Sequence, residues 1–290
     1  LQGDTDIVSY GGGTGGSRSL QICGPAIQTA ADKVIAKSKR IAAHMLEAAE
    51  ADITFSDGKF TIAGTDRSIT FEDVRKRAFQ AGRLPKDIEP GLNEKASFVE
   101  QARTFPNGCH IAEVEVDPDT GTIALAKYVI VDDFGKVLNP LLVEGQVHGG
   151  LGQGIGQALL EGCAYDSSGQ LLTGSFMDYT LPRAGDLPSF NFRYNEVLSP
   201  SNPMGVKGCG EAGCVAAPAA VVNATVDALA KHGIRHLDMP MTPERVWRAL
   251  NRSRAAEGGA RARGPGPQEH DGVPGAGRSR GQDAARTVAS

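Results

Sequence analysis

Pro203-Met-Gly-Val-Lys-Gly-Cys-Gly-Glu-Ala-Gly-Cys214 is the stretch around which the chain is organised. It carries one cation, Lys207, one carboxylate, Glu211, and glycines at 205, 208, 210 and 213. The Ala/Val-rich run that follows, residues 215–231, reads as a buried helix. Pro218 is tolerated only near the first turn of that helix, so it starts shortly after Glu211. Glycines let backbone approach a ligand closely and offer it N–H groups. A helix N-terminus adds partial positive charge, which favours an ionised carboxylate. Two readings follow: a carboxylate presented into a pocket, or a glutamate that caps a helix on a glycine-rich turn.

Working outward, Gly11-Gly-Gly-Thr-Gly-Gly16, followed by Ser17-Arg-Ser19, satisfies the spacing G-x-G-x-x-G ahead of a helix. A dinucleotide fold also needs a second strand ending in an acidic residue some 20 positions on. Here that residue is Asp32, inside a helical pattern, so the dinucleotide reading fails. What remains is either a ligand-wrapping loop or a flexible glycine turn. The third glycine-dense stretch is Gly145-Gln-Val-His-Gly-Gly-Leu-Gly-Gln-Gly-Ile-Gly156. Glycine costs about 1 kcal/mol relative to Ala inside a helix, so this density needs a packing or ligand reason. Gln146 and Gln153 bring amides that both donate and accept, while His148 reads as a helix-surface or packing residue.

Composition bounds the classes. A chain of 290 residues, 40% hydrophobic and 22% charged, is ordinary for a globular protein. A formal net charge of -4 argues against a nucleic-acid footprint. The sequence offers neither a signal-peptide pattern nor an obvious membrane span, and Leu1 in place of Met points to truncation or processing. Five cysteines at irregular spacing do not make a disulfide framework. Cys209 and Cys214 have no second ligand pair to complete a zinc site. Asp132 and Asp133, adjacent on a strand, point to opposite faces and do not pair as acid and base.

The element pattern is mixed. Residues 1–10 suggest a strand, and 24–49 an amphipathic helix with a lysine-rich outer face. Ile53–Phe55 and Phe60–Ile62 flank Asp57-Gly58 as a hairpin. Thr70 and Asp73 make a capping box for a helix to about Gln80. Strands follow at 112–117 and 123–132, then a helix over 140–161 with Asn139 as N-cap and Pro140 at N1. Further strands are expected at 171–181 and 190–197, and a last helix from Pro243. Residues 252–290, rich in Gly, Arg, Ala and Pro, are expected to be disordered.

GVKGCGEAGC with its Ala-Pro-Ala-Ala helix resembles the C-terminal part of the molybdenum hydroxylase large subunits. GGGTGGSRS and GQVHGGLGQGIG agree with that family in order and spacing, over roughly residues 1–250. The wording is most similar to the subgroup of aerobic carbon monoxide dehydrogenase large chains. The resemblance implies an α+β molybdopterin-binding domain of the aldehyde oxidase/xanthine dehydrogenase type over 1–251, N-terminally truncated and divisible into two subdomains. It implies that Glu211 is the general base of a hydroxylation using water-derived oxygen, on carbon monoxide, an aldehyde or an N-heterocycle. Thr14, Gly15, Gly16, Ser17, Ser19, Gln146, Gln153, Lys207 and Gly210 are the implied cofactor contacts; Lys207 alternatively braces Glu211. The metal would be held by the pterin, in its cytosine dinucleotide form, and not by protein ligands. Iron–sulfur and FAD groups would sit on a small and a medium partner subunit, in a dimer of heterotrimers. The setting implied is cytoplasmic or at the inner membrane face. The tail departs from the family, and the loop that decides on copper lies upstream in it. A different class stays open: a catalytically incomplete cofactor-binding or assembly module.

Overall fold

The computed structural model describes residues 4–8 and 11–262. The expected strand over 1–10 falls partly outside them, and within them Asp4 to Val8 form a turn closed on the Asp4 carbonyl. The long helix α1 spans Ser19–Leu46, starting five residues earlier than the periodicity suggests and ending at Glu47 in the left-handed region. Asp32 lies in its middle, as the failed dinucleotide reading requires.

The C-terminal half of α1 belongs to a first core. Strands β1 (Ile53–Ser56), β2 (Lys59–Ile62) and β3 (Ser68–Thr70) form an antiparallel meander, with Phe55 opposite Phe60. Helix α2 (Phe71–Ala78) starts at the capping box read from sequence: Thr70 Oγ1 accepts from Asp73 N at 3.1 Å, and Asp73 accepts from Thr70 N at 3.3 Å. Ile41, Ile53, Phe60, Val74 and Ala78 close this core.

The second core is larger. Strands β4 (Asn107–Val116) and β5 (Ile123–Asp133) pair antiparallel through a bulge at Glu113/Val114. Strand β6 (Phe190–Tyr194) joins β5 in parallel. Helix α3 (Pro140–Leu159) opens with Asn139 Oδ1 accepting from Leu142 N at 3.2 Å. Helices α4 (Ala212–Val215), α5 (Ala217–Leu229) and α6 (Pro243–Ala262) follow. Tyr128, Ile130, Leu151, Ile155, Val221, Leu229, Val246 and Leu250 bury against one another between sheet and helices. Residues 212–232 are apolar and long enough to cross a membrane by length and composition. Their continuity breaks at Ala216, and Ala217, Val221, Thr225 and Leu229 face the core.

Two expectations are corrected. Residues 171–181 contain a single bridge, Tyr165 to Leu171, and a turn in which Ser175 Oγ donates to Asp178. With no strand to pair with among the described residues, Phe176 and Met177 stay exposed. Residues 252–262 continue α6, with Ala, Arg and Glu as good helix formers offsetting the unfavourable Gly258 and Gly259. The remainder of that tail, 263–290, lies outside the described residues.

The α3 glycines divide into two sets. Gly150 faces α4, where an added Cβ would sit 2.8 Å from Cys214 N, and Gly154 faces α5, where it would sit 2.6 Å from Ala217 Cβ. Gly145 and Gly149 meet nothing within 4 Å. Gly154→Ala should therefore lower chain stability by about 1–3 kcal/mol through overpacking. Gly149→Ala should raise it by roughly 0.5–1 kcal/mol, the ordinary helix gain. Thermal and urea midpoints of the two variants check the pair.

Candidate functional site

Three glycine-dense segments, far apart in sequence, meet at Glu211. Gln146, in the second turn of α3, donates from Nε2 to the Gly210 carbonyl at 2.6 Å. Ser17 donates from Oγ to Glu211 Oε2 at 3.2 Å. Gly208 lies so close to the first loop that an added Cβ would be 2.6 Å from the Ser17 carbonyl oxygen and 2.8 Å from Gln21 Nε2. Gln21, in the first turn of α1, is buried and donates to Ser17 O at 3.2 Å.

Ser17 has a φ of 59°, in the left-handed region that non-glycine residues avoid. Such strain survives only where surroundings over-determine it, and it gathers at ligand sites. Here Gln21, Gly208 and Glu211 hold the residue from three sides. Just after it, the Arg18 guanidinium curls back onto the carbonyls of Gly12 and Gly13. Thr14 and Ser19 hydroxyls hydrogen-bond each other across the turn, in which Gly15 and Gly16 are exposed.

The remaining expected residues are placed as follows. Gln153 is exposed on α3, seven residues beyond Gln146 and so on the same helical stripe. Lys207, expected to meet a cofactor or brace Glu211, places its ammonium on the Asp133 carboxylate. His148 packs its ring on Phe190 at 5.3 Å between centroids. Asp132 and Asp133 do point apart: Asp132 lies 3.4 Å from His110 Nε2, and Asp133 serves the Lys207 loop.

Sequence reasoning missed Gln21, Arg18 and Asp133. Position offered the one available signal for Gln21, four residues after the strained serine. Asp133 had none, since its partner Lys207 is 74 residues away.

Burial alone would raise the Asp133 carboxyl. The Lys207 ammonium and the N–H groups of Gly135 and Val197 outweigh that cost and hold it below the usual aspartate range. Cys209, partly buried against the second core, is pushed up by desolvation and is a packing thiol. Among the described residues no cluster of three His, Cys, Asp or Glu side chains could hold a metal directly. The donors around Glu211 are hydroxyls and side-chain amides, beside glycine faces open at 15, 16, 145 and 149. That set fits a bulky organic group with phosphate and ring edges.

A family model described as molybdopterin cofactor-binding domain matches residues 1–188. The chain is 38% identical over 250 residues to the carbon monoxide dehydrogenase large chain of Hydrogenophaga pseudoflava, covering 86% of this chain and 31% of that one. It is 41% identical over 243 residues to the nicotine 6-hydroxylase large subunit of Paenarthrobacter nicotinovorans, covering 83% and 30%. The solved structure of reconstituted CO dehydrogenase from Oligotropha carboxidovorans superposes with a TM-score of 0.81 at 34% identity, covering 87% of this chain and 31% of that one. The chain thus spans under a third of the length of these relatives.

Because Asp133 is depressed when folded, its contribution to stability is present above its unfolded value of 3.8 and is lost as pH falls through the lower folded value. Acid unfolding below pH 4 should therefore be flatter in Asp133→Asn, which is less stable at neutral pH and has less left to lose. Midpoints measured between pH 2 and 7 check this.

Proposed function

The chain belongs to the molybdopterin cofactor-binding domain family of the molybdenum hydroxylase large subunits, and on that premise we propose that it forms part of a catalytic large subunit. The enzyme would oxidise a small substrate, such as carbon monoxide, an aldehyde or an N-heterocycle, with oxygen derived from water. The observation that carries this reading is the meeting of Ser17, Gln146 and Glu211 around Gly210.

The molybdenum–pterin group, in its cytosine dinucleotide form, supplies the two-electron acceptance when bound. The chain supplies position and a base. The Ser17 hydroxyl occupies Glu211 Oε2 and fixes the carboxylate, which leaves Oε1 to take the proton from the oxygen that attacks substrate. Gln146 spends one N–H on Gly210 and keeps its second N–H and its carbonyl for the ligand. N–H and hydroxyl groups of Thr14, Gly15, Gly16 and Ser19, together with Gly210, would hold the pterin and phosphate groups, with Gln153 further along α3. Holding a base within reach of the transferred proton contributes typically 10²–10⁴-fold.

Electrons would leave to an iron–sulfur small subunit and an FAD-binding medium subunit, in a dimer of heterotrimers in the cytoplasm or at the inner membrane face. The relatives' designations as large chain and large subunit support a multi-subunit setting. The competing reading, an assembly module without turnover, draws on the exposure of Glu211 and Gln146 in this chain. Both readings place the same residues around the same group.

In the complete enzyme, Glu211→Gln should keep molybdenum content and lower kcat at least about 10²-fold. Ser17→Arg should lower bound molybdenum. Near-normal turnover in metal-loaded Glu211→Gln would remove the base assignment, and wild-type enzyme that loads metal without turnover would favour the module.

A further inference from the structure

We infer that Lys207 and Asp133 are positioning residues for Glu211: a buried ion pair that sets the height of the glutamate loop and cancels its own charge beneath it. The inference rests on the reading of Glu211 as the base.

The pair is more fully enclosed than any other Lys–carboxylate or Arg–carboxylate pair found among the described residues, with side chains 11% and 9% exposed. All of the Asp133 acceptor capacity is engaged. Oδ1 accepts from Gly135 N at 2.8 Å and Val197 N at 3.1 Å. Oδ2 takes the Lys207 ammonium, with Asn107 Nδ2 at 3.5 Å. One carboxylate therefore ties the end of β5, the segment after β6 and the glutamate loop. The backbone repeats the same join: Lys207 N donates to Phe134 O at 2.8 Å, and Lys136 N donates to Gly205 O at 3.0 Å.

From that anchor the path to Glu211 has little freedom. Gly208 is pressed against the Ser17 carbonyl, Cys209 packs on the second core, and Gly210 is gripped by Gln146. The loop is thus fixed at Lys207, at Gly210 and at the start of α4. With its charge matched by Asp133 and its side chain 11% exposed, Lys207 serves as the loop's anchor in place of a phosphate contact.

Charge cancellation matters because four residues of chain span at most about 14 Å. At that range an uncompensated charge shifts a carboxylate by roughly half a pH unit. Besides the pair, the titratable or charged groups on elements packed around Glu211 are few. They are Arg18, turned onto Gly12 and Gly13, Glu144 and His148 on α3, and Cys209 and Cys214 in the loop and α4.

The test uses the complete enzyme, with the pH dependence of kcat/KM, molybdenum content, and hydrogen exchange of the amides at 208–212. Asp133→Asn strands a cation, so the acid limb should move to lower pH by roughly half a unit. Lys207→Met strands an anion, so the limb should move up by a similar amount. In both variants kcat should drop about 10–100-fold from misplacement, with exchange at 208–212 accelerated and molybdenum content near normal. Lys207→Arg should restore exchange protection and most of kcat. A merely structural pair would move stability and leave the limbs in place or shift both in one direction, and that result overturns the inference.

Stranding one buried charge can prevent folding. The double variant Asp133→Leu/Lys207→Met then decides: native protection at 208–212 with native kcat overturns the inference, while loosened amides with lowered kcat support it. Retained activity in Glu211→Gln would instead remove the base itself, so the two failures are distinguishable.

Discussion

The close crossing of α3 over α4 and α5 is the constraint on which the rest of the site depends. Gly150 and Gly154 present bare backbone to Cys214 and Ala217, so the helices approach more closely than side chains would allow. That approach puts Gln146 within 2.6 Å of the Gly210 carbonyl, one turn N-terminal to Gly150 on the same helix. It also presses α5 onto the second core, where Val221 and Leu229 are fully buried. A wider crossing would lift Gln146 off the loop and open the core together. Glycine in α3 costs helix propensity, and tight packing offsets it at 150 and 154 but not at the open positions 145 and 149. The unexplained cost at those two positions, on the stripe that also carries Gln146, is what a bulky ligand against backbone would account for.

Local chemistry was legible, and long-range pairing was not. The Thr70/Asp73 box and the Asn139-Pro140 start could be read because both signals lie within four residues of their effect. The Asp57-Gly58 hairpin was legible for the same reason. The parallel pairing of β5 with β6 joins residues about sixty apart through no local signal, and the expected strand at 171–181 failed because no strand pairs with it among the described residues. At the site, glycine density marked the three segments, and the structure brings them together. Their supports, Gln21 and Asp133, carry no pattern of their own, because a buried hydrogen bond is visible only once both partners are placed.

Ser17 shows how sequence and strain combine. Its neighbours Gly13 and Gly16 also have positive φ, as glycine permits at no cost, and Ser17 continues the same turn where a side chain is needed. The hydroxyl that a glycine would lack is the group that reaches Glu211. The strain is held by the Gln21 amide below and the Gly208 backbone alongside. The loop therefore trades local comfort for a fixed carboxylate, the balance expected where rigidity serves chemistry.

Asp132 and Asp133 carry this logic into the sheet. Consecutive strand residues face opposite sides, so two adjacent carboxylates serve two different layers. Asp133 turns to Lys207 and fixes the glutamate loop. Asp132 turns into the sheet, 3.4 Å from His110, whose Nδ1 is 3.1 Å from the Tyr128 hydroxyl. Burial, with the Asp132 charge nearby, raises the Tyr128 phenol, so it stays protonated and able to donate to that nitrogen. The end of β5 is thereby clamped from both faces by polar contacts. Sliding β5 by one residue to bring Asp132 under the loop would carry Asp133 to the site of Phe134, away from Lys207, and leave His110 without its carboxylate. Lys207 would then lose the register that its backbone shares with Phe134, so the polar pairing at this strand end specifies the alignment that apolar alternation alone leaves to hydrophobic pattern.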